Sequence, residues 1–195
     1  MAGKKTKTRT YVKAARAESE AETRGRIVEA LVALHEELGP ARTTVKAVAE
    51  RAGVQRLTVY RHFPDEFEMV AACSALWSER LPPPDLATIT AADPRRRARA
   101  ILLALYRYYR AGERMLTRIL ADAPHVEAVR RYLAPFGTYL ETLANEMARG
   151  WRGRSARRRA TLRHAVQFAT WQSLSAVTAD DAEAVDLVMS WCDAS

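Results

Sequence analysis

The chain has few of the features that mark secreted, membrane or metal-binding proteins. Its 195 residues include only two cysteines, Cys73 and Cys192, which lie far apart and outside any metal-ligand spacing. No apolar run approaches the roughly 18 residues of a membrane span, and no apolar stretch follows the basic N-terminus as it does in a secretory signal. We therefore expect a cytoplasmic protein with reduced thiols and no membrane segment.

Motifs that carry catalysis are also missing. The sequence has no Gly-rich phosphate loop, no Gly-x-Ser-x-Gly and no metal-spaced cluster of His, Cys and Asp. Its four histidines, His35, His62, His125 and His164, have no paired acid nearby. We expect no enzymatic activity, no metal and no cofactor.

Positive charge is present, and it is concentrated at one end of the chain. The formal net charge is +8, and residues 1–64 hold 13 basic and 7 acidic side chains, whereas residues 65–195 hold 18 and 16. All five lysines lie in the first quarter. Such an imbalance favours a polyanionic partner, but a solvated tail on an ordinary surface explains the charge equally well.

Helical periodicity runs through almost the whole chain, and no stretch shows strand alternation. We therefore predict an all-α protein with a flexible basic arm over residues 1–20, a helix-turn-helix unit over 21–81, a break near 82–93 and a larger helical body over 93–195. The first helix is expected from about Glu22 to Leu38. A long, unbroken helix is expected from about Ala156 to Val177.

Two short helices near residue 53 carry the main functional signal. On the first, Val45, Val48, Ala49 and Ala52 recur with helical spacing, which predicts one buried face. Gly53 then supplies the positive φ that a sharp turn needs. On the second helix Val59 and Phe63 share a face, and at about 100° per residue the outward side presents Leu57, Thr58 and Arg61, with Arg56 and Tyr60 on its flank.

This arrangement is the layout of a helix-turn-helix, in which the second helix lies in the major groove of DNA. Arginine pairs with guanine or phosphate, threonine and an exposed leucine contact thymine methyls, and tyrosine and histidine donate to phosphate oxygens. Leu57 in particular points away from the predicted core and needs a partner. The alternative is that these side chains only cover a small helical unit.

The segment TTVKAVAERAGVQRLTVYRHFPDEFEMV resembles the DNA-binding region of the TetR family of bacterial transcription regulators. The resemblance covers about residues 20–80 and rests on Thr44, on the run from Val48 to Val54, and on T-V-Y-R-H-F from Thr58 to Phe63. It implies phosphate contacts by Thr44 and Tyr60. The candidate DNA-contact residues are Thr44, Lys46, Gln55, Arg56, Leu57, Thr58, Tyr60, Arg61 and His62.

The sequence departs from the family pattern at two positions. Gln55 replaces the serine that often caps the recognition helix, and glutamine is a weaker cap. Asp65 and Glu66 stand where family members usually have a phosphate-binding lysine. The basic arm, with Lys4, Lys5, Lys7 and Arg9, is expected either to offset these acids by reaching along the DNA or to be a disordered tail.

For the rest of the chain, the resemblance implies a dimerisation and ligand-binding domain. It implies a homodimer on a palindromic operator, released from DNA by a small-molecule effector, and hence a repressor. The interface candidates are Val166, Thr170, Leu174, Val188 and Trp191, which would otherwise close the core of the single chain. The ligand candidates are Tyr108, Phe136, His164, Phe168 and Trp171, for which ordinary core or surface roles remain the alternative.

Several points stay open at this level. A DNA-binding architectural protein without a ligand would share the first 80 residues, although it has little use for the remaining helices. The arginines between residues 149 and 163, where no acid occurs, indicate either a solvated loop and helix start or an anionic partner. The effector, the operator and the direction of regulation are not encoded in any recognisable motif.

Overall fold

The computed structural model describes the backbone of residues 4–151 and 155–194, and the side chains of residues 11, 14–151 and 155–194. Within these ranges the chain forms helices and no strand, which confirms the all-α prediction. The α-helices are α1 (Lys4–Leu38), α2 (Val45–Ala52), α3 (Arg56–His62), α4 (Glu66–Arg80), α5 (Pro94–Ala111), α6 (Glu113–Asp122), α7 (Glu127–Ala148), α8 (Ala156–Ala165), α9 (Phe168–Ser175) and α10 (Asp181–Asp193). Short 3-10 helices cover Pro40–Arg42 and Leu86–Thr88.

The first helix is longer than the sequence analysis predicted. Residues 4–20 were expected to be a flexible arm, but α1 runs without interruption from Lys4. The stretch is rich in alanine and in long charged residues, which are strong helix formers, and it contains no Gly or Pro before Gly25. Arg16 and Glu20 add an ion pair one turn apart, at 3.3 Å.

The N-terminal core is built by α1, α2 and α3. It contains Ile27, Leu31, Val48, Val59 and Phe63, all almost fully buried. Arg26 of α1 also donates to the carbonyl of Ala52 at 3.3 Å, which ties the end of α2 to α1. The two short helices are therefore held on a rigid support.

The C-terminal core is built by α5, α7, α8, α9 and α10, with Tyr106, Tyr109 and Trp171 fully buried at its centre. A third, small cluster joins the two cores. It consists of Val70 of α4 with Ala128 and Val129 of α7, against which Phe67 packs. Because Cys73 of the same helix belongs to the N-terminal core, α4 contributes to both regions.

The predicted long helix from about Ala156 to Val177 is wrong, because the chain bends between α8 and α9. The hydroxyl of Tyr106 donates to the carbonyl of Ala165 at 3.0 Å, and the hydroxyl of Tyr109 donates to the carbonyl of Val166 at 2.5 Å. The Thr170 hydroxyl donates to the carbonyl of His164 at 2.7 Å. These bonds satisfy carbonyls at the bend that a continuous helix would satisfy internally.

None of the described helices is long and apolar enough to span a membrane.

Candidate nucleic-acid interface and ligand cavity

The turn between α2 and α3 has the local geometry that the sequence predicts. Thr44 caps α2, its side chain accepting a hydrogen bond from the Ala47 amide at 3.2 Å. Gly53 ends α2 in the left-handed conformation, with φ 66° and ψ 40°. The amide of Val54 then bonds to the carbonyl of Ala49 at 3.0 Å, which closes the helix end.

The recognition helix α3 has one buried side and one exposed side. Val59 and Phe63 are fully buried, and the Arg24 guanidinium lies 4.7 Å from the centroid of the Phe63 ring. On the outer side, 76% of Leu57 and 52% of Tyr60 are exposed. The outer side of α3 therefore presents a large apolar and an aromatic side chain to the solvent.

Cationic and hydrogen-bonding groups surround Leu57. Gln55, Arg56 and Arg61 are exposed, and neither arginine forms an ion pair with a described residue. Gln55 stands at the N-cap of α3, but its side chain makes no capping bond. Together with Leu57 and Tyr60, these three side chains make up the exposed side chains from Gln55 to Arg61, which we call the α3 outer face.

The remaining predicted contact residues are less uniformly placed. Thr44 and Lys46 are exposed at the start of α2, where Lys46 lies 3.8 Å from Glu50. Thr58 is partly buried. His62 is also partly buried, and its Nε2 is enclosed without a hydrogen-bond partner among the described residues, so this nitrogen does not face a phosphate in this conformation.

The acids that replace the expected lysine have a structural role. Asp65 caps α4 by accepting a hydrogen bond from the Glu68 amide at 2.8 Å. Acids in the first turn of a helix also interact favourably with its dipole. The side chains of Lys4, Lys5, Lys7 and Arg9 lie outside the described residues, so their predicted contact with DNA stays a prediction.

A cavity of about 530 Å³ lies between the two cores. Its walls come from the end of α1, the following 3-10 helix, α4, α5, α6 and α7, and most of the lining side chains are apolar or aromatic. A volume of this size is typical of small-molecule sites. Of the predicted ligand residues, Tyr108 and Phe136 line it, with ring centroids 6.2 Å apart.

The structure does not place the other three predicted ligand residues at this cavity. His164 is exposed on α8. Phe168 and Trp171 pack inside the C-terminal core, and the Trp171 indole donates to Asp181 at 3.0 Å. These aromatic residues stabilise the core instead, since the bend after α8 turns α9 inward.

Sequence reasoning missed the contribution of α1 and α4 to the cavity, above all His35 and Trp77. A signal was available in α4, where a second stripe recurs at helical spacing in addition to the face that the N-terminal core needs. Its members are Phe67, Val70, Ser74, Trp77 and Ser78, all of which line the cavity. His35 carries no such signal, because its position beside the cavity depends on how α1 meets α6.

Most predicted interface residues are already buried in the single chain. Val166, Thr170, Leu174 and Val188 have little exposed surface, so they have little left to bury against a partner. Val177, which follows α9, is exposed, and on α10 Leu187 and Trp191 are exposed to 38% and 39%. These two are four residues apart and share one side of α10.

The geometry of α2, α3 and the turn at Gly53 defines a helix-turn-helix DNA-binding unit on an all-helical protein. Residues 27–73 match the model of the family of bacterial regulatory proteins, tetR family, which confirms the resemblance and identifies this part of the chain as a tetR-family DNA-binding domain. No curated protein sequence matches the chain.

Solved structures share the whole architecture. A TetR transcription regulator from Haloarcula marismortui is 16% identical, with a TM-score of 0.56 over 89% of this chain and 96% of that one. The fatty acid degradation regulator FadR from Bacillus halodurans is 18% identical, with a TM-score of 0.56 over 87% and 93%. The multidrug binding protein EbrR, solved with imidazole, is 20% identical, with a TM-score of 0.57 over 86% and 88%. At these identities the likeness concerns the fold.

Proposed function

We propose that the protein is a transcriptional repressor that binds a palindromic operator as a homodimer and is released by a small molecule that enters the cavity. The observation that carries this proposal is the α3 outer face, where an exposed leucine is flanked by arginines that form no ion pair with a described residue. Guanidinium groups suit guanine edges and phosphates, and an exposed apolar side chain suits a thymine methyl.

Dimerisation follows from the small size of α3. One short helix contacts only a few base pairs, and a two-fold dimer places two such helices in successive major grooves about 34–36 Å apart. Leu187 and Trp191 on α10, with Val177 after α9, supply exposed apolar surface on the helices that the family resemblance assigns to the interface.

The cavity connects to the DNA-binding domain through two routes. Along α4, Trp77 lines the cavity while Cys73 belongs to the N-terminal core. At the end of α6, Asp122 accepts a hydrogen bond from the Ala41 amide at 2.9 Å, just after α1. Gly39 has φ 84°, and a Cβ there would lie 2.5 Å from an Asp122 oxygen. A shift of α4 or α6 therefore moves α1 and the helices that pack on it.

For DNA to be released, the ligand needs only to bind two conformations of the dimer, the DNA-binding one and a splayed one, with different affinities. A ligand that binds the splayed dimer more tightly shifts the population toward it, and typical coupling energies are about 1–3 kcal/mol. The lining of the cavity, which is mostly apolar or aromatic, supports an effector that is largely apolar.

The direct test uses the intergenic DNA next to the gene of this protein. We expect footprinting with the purified full-length chain to protect an inverted repeat, and a duplex with that repeat to bind far more tightly than a shuffled duplex at the same salt concentration. Equal affinity for both duplexes would instead indicate the architectural DNA-binding protein.

A further inference from the structure

The cavity wall contains one buried polar group, the indole N–H of Trp77, that no described residue satisfies, and the hydroxyl of Tyr108 lies beside it. The Trp77 indole Nε1 is buried and has no hydrogen-bond partner in the described part of the chain. The Tyr108 hydroxyl lies close by. Burial raises the pKa of this hydroxyl, and the neighbouring indole opposes the rise, although the two groups lack the geometry of a hydrogen bond. Both side chains line the cavity.

A buried donor without an acceptor is uncommon and requires an explanation. An indole N–H only donates, whereas a phenol both donates and accepts. If the two side chains remain apart, each offers a donor. If a small movement lets Trp77 donate to Tyr108, the hydroxyl proton still remains to be donated. In either arrangement the pair offers at least one donor to a molecule in the cavity.

The hydroxyl of Tyr139, which also lines the cavity, already has a hydrogen-bond partner. Tyr139 donates to the carbonyl of Pro84 at 2.7 Å, and its ring stacks on Phe136 with the centroids 5.8 Å apart. Ser74, Ser78 and Tyr132 also bring hydroxyls to the wall, but among the described lining residues only the Trp77 nitrogen is enclosed without a hydrogen-bond partner. The surrounding wall, which includes Val70, Met115 and Leu116, is mostly apolar.

The cavity is poorly suited to a charged molecule. None of its described lining residues is acidic, so a cation finds no counter-charge. His35 is neutral near pH 7 because burial lowers its pKa to about 4. Arg131 also lines the cavity, but its side chain is exposed and its guanidinium lies 4.7 Å from the centroid of the Phe67 ring, so its charge sits on the solvent-exposed side of the wall. A charge buried without a partner is strongly unfavourable.

We propose that the cavity binds an uncharged, mostly apolar molecule that carries a hydrogen-bond acceptor, such as a carbonyl oxygen, and that Trp77 and Tyr108 donate to this acceptor. This inference rests on the proposed function in taking the cavity as the effector site. It adds the chemical class of the effector and the two residues that recognise it.

Four probes with the same two-ring skeleton test the proposal by calorimetric titration of the full-length protein without DNA. They are diphenylmethane, its ketone benzophenone, the anion diphenylacetate and the protonated amine of benzhydrylamine. We expect benzophenone to bind about tenfold more tightly than diphenylmethane, the size of one net hydrogen bond. Both ions should bind more weakly than diphenylmethane. Equal affinities for ketone and hydrocarbon, tightest binding of either ion, or no binding by any probe would overturn the proposal.

Variants then assign the donors. Tyr108→Phe and Trp77→Phe should each lower the ratio of benzophenone affinity to diphenylmethane affinity, and the double variant should bring it close to one. Tyr139→Phe is the matched control, because its hydroxyl is already bonded to Pro84, and it should leave the ratio unchanged. A ratio that persists in the double variant, with the fold intact by circular dichroism, would contradict the assignment.

A separate measurement distinguishes this proposal from the proposed function. Operator affinity is measured with and without saturating benzophenone. If the ketone binds through Trp77 and Tyr108 but operator affinity does not change, the binding site stands and release by this ligand is wrong. If the probes show no ketone preference while the inverted repeat is still bound, the ligand class is wrong and the DNA-binding function stands.

Discussion

The thiol of Cys73 lies 3.3 Å from Nδ1 of His35, and both side chains are buried where α1 and α4 pack together. Burial lowers the pKa of His35 to about 4, against a smaller opposing effect of Asp122, and burial raises the pKa of Cys73 to about 12. Both groups are therefore neutral near pH 7, and the imidazole tautomer sets which of them donates in the hydrogen bond between them. This neutral pair joins the recognition unit to the helix that lines the cavity.

We predict that stability falls on acidification because of His35. Its pKa is lower in the folded state than in the unfolded state, so the unfolded chain binds the extra proton between about pH 6.5 and pH 4. The stabilisation is present above pH 6.5 and is lost progressively down to pH 4, at most about 3 kcal/mol. Denaturant unfolding at several pH values measures it. His35→Gln should flatten the curve in this window, while His164→Gln, an exposed position, should not.

We predict that a glycine is required at position 53 because of its backbone conformation, and not because a Cβ atom would lack room there. A Cβ at this position would meet only Arg26, at 3.8 Å, but φ is +66°. Gly53→Ala should therefore destabilise the protein by about 1–2 kcal/mol. Gly53→Asn should cost less, since asparagine tolerates this conformation better. Denaturant unfolding measures the free energy of unfolding of both variants. Equal losses would indicate that the Cβ atom is crowded by its neighbours, and not that the backbone is strained.

On the α3 outer face, Arg61→Ala is expected to weaken operator binding by about 5- to 150-fold, because one bidentate base contact contributes about 1–3 kcal/mol. Arg61 is exposed and forms no ion pair with a described residue, so the thermal midpoint should stay unchanged. Electrophoretic or fluorescence titration measures the affinity. Arg107→Ala, an exposed arginine on α5, is the matched control and should bind DNA like the parent.

We predict that the proposed homodimer forms through α10. Leu187→Glu places a charge on an exposed apolar position beside Trp191 and should convert a dimer to a monomer in analytical ultracentrifugation. Operator affinity should fall with it. Leu57→Glu is the matched control, since it also charges an exposed leucine. Leu57→Glu should abolish DNA binding while the protein keeps the mass of a dimer in ultracentrifugation. A loss of the dimer in both variants would instead indicate general unfolding.

The bend between α8 and α9 is predicted to depend on two buried hydroxyls. Tyr106→Phe and Tyr109→Phe each leave a carbonyl, of Ala165 or Val166, without its partner. Each should lower the free energy of unfolding by about 1–3 kcal/mol. Tyr108→Phe removes a hydroxyl that bonds to no backbone carbonyl among the described residues, so it should change stability much less. Similar losses in all three variants would contradict this account.

The sequence by itself determined the helical class, the helix-turn-helix and the outward side of α3. These features are local: a helical period, a cap at Thr44 and a glycine at the turn lie within some twenty residues, and short-range sterics and hydrogen bonding specify them. The extension of α1 to Lys4 was also encoded locally, in helix-forming residues. It was missed because positive charge was taken as a sign of a flexible arm.

Only the tertiary structure decided where the cavity lies and where the long C-terminal helix bends. His35, Trp77 and Tyr108 line one cavity from positions far apart in the chain, and hydroxyls on α5 satisfy carbonyls near residue 165. Periodicity shows which side of a helix is apolar, but it does not show which other helix covers that side. That choice depends on the packing of all the helices together, and it also left most of the predicted interface residues buried within a single chain.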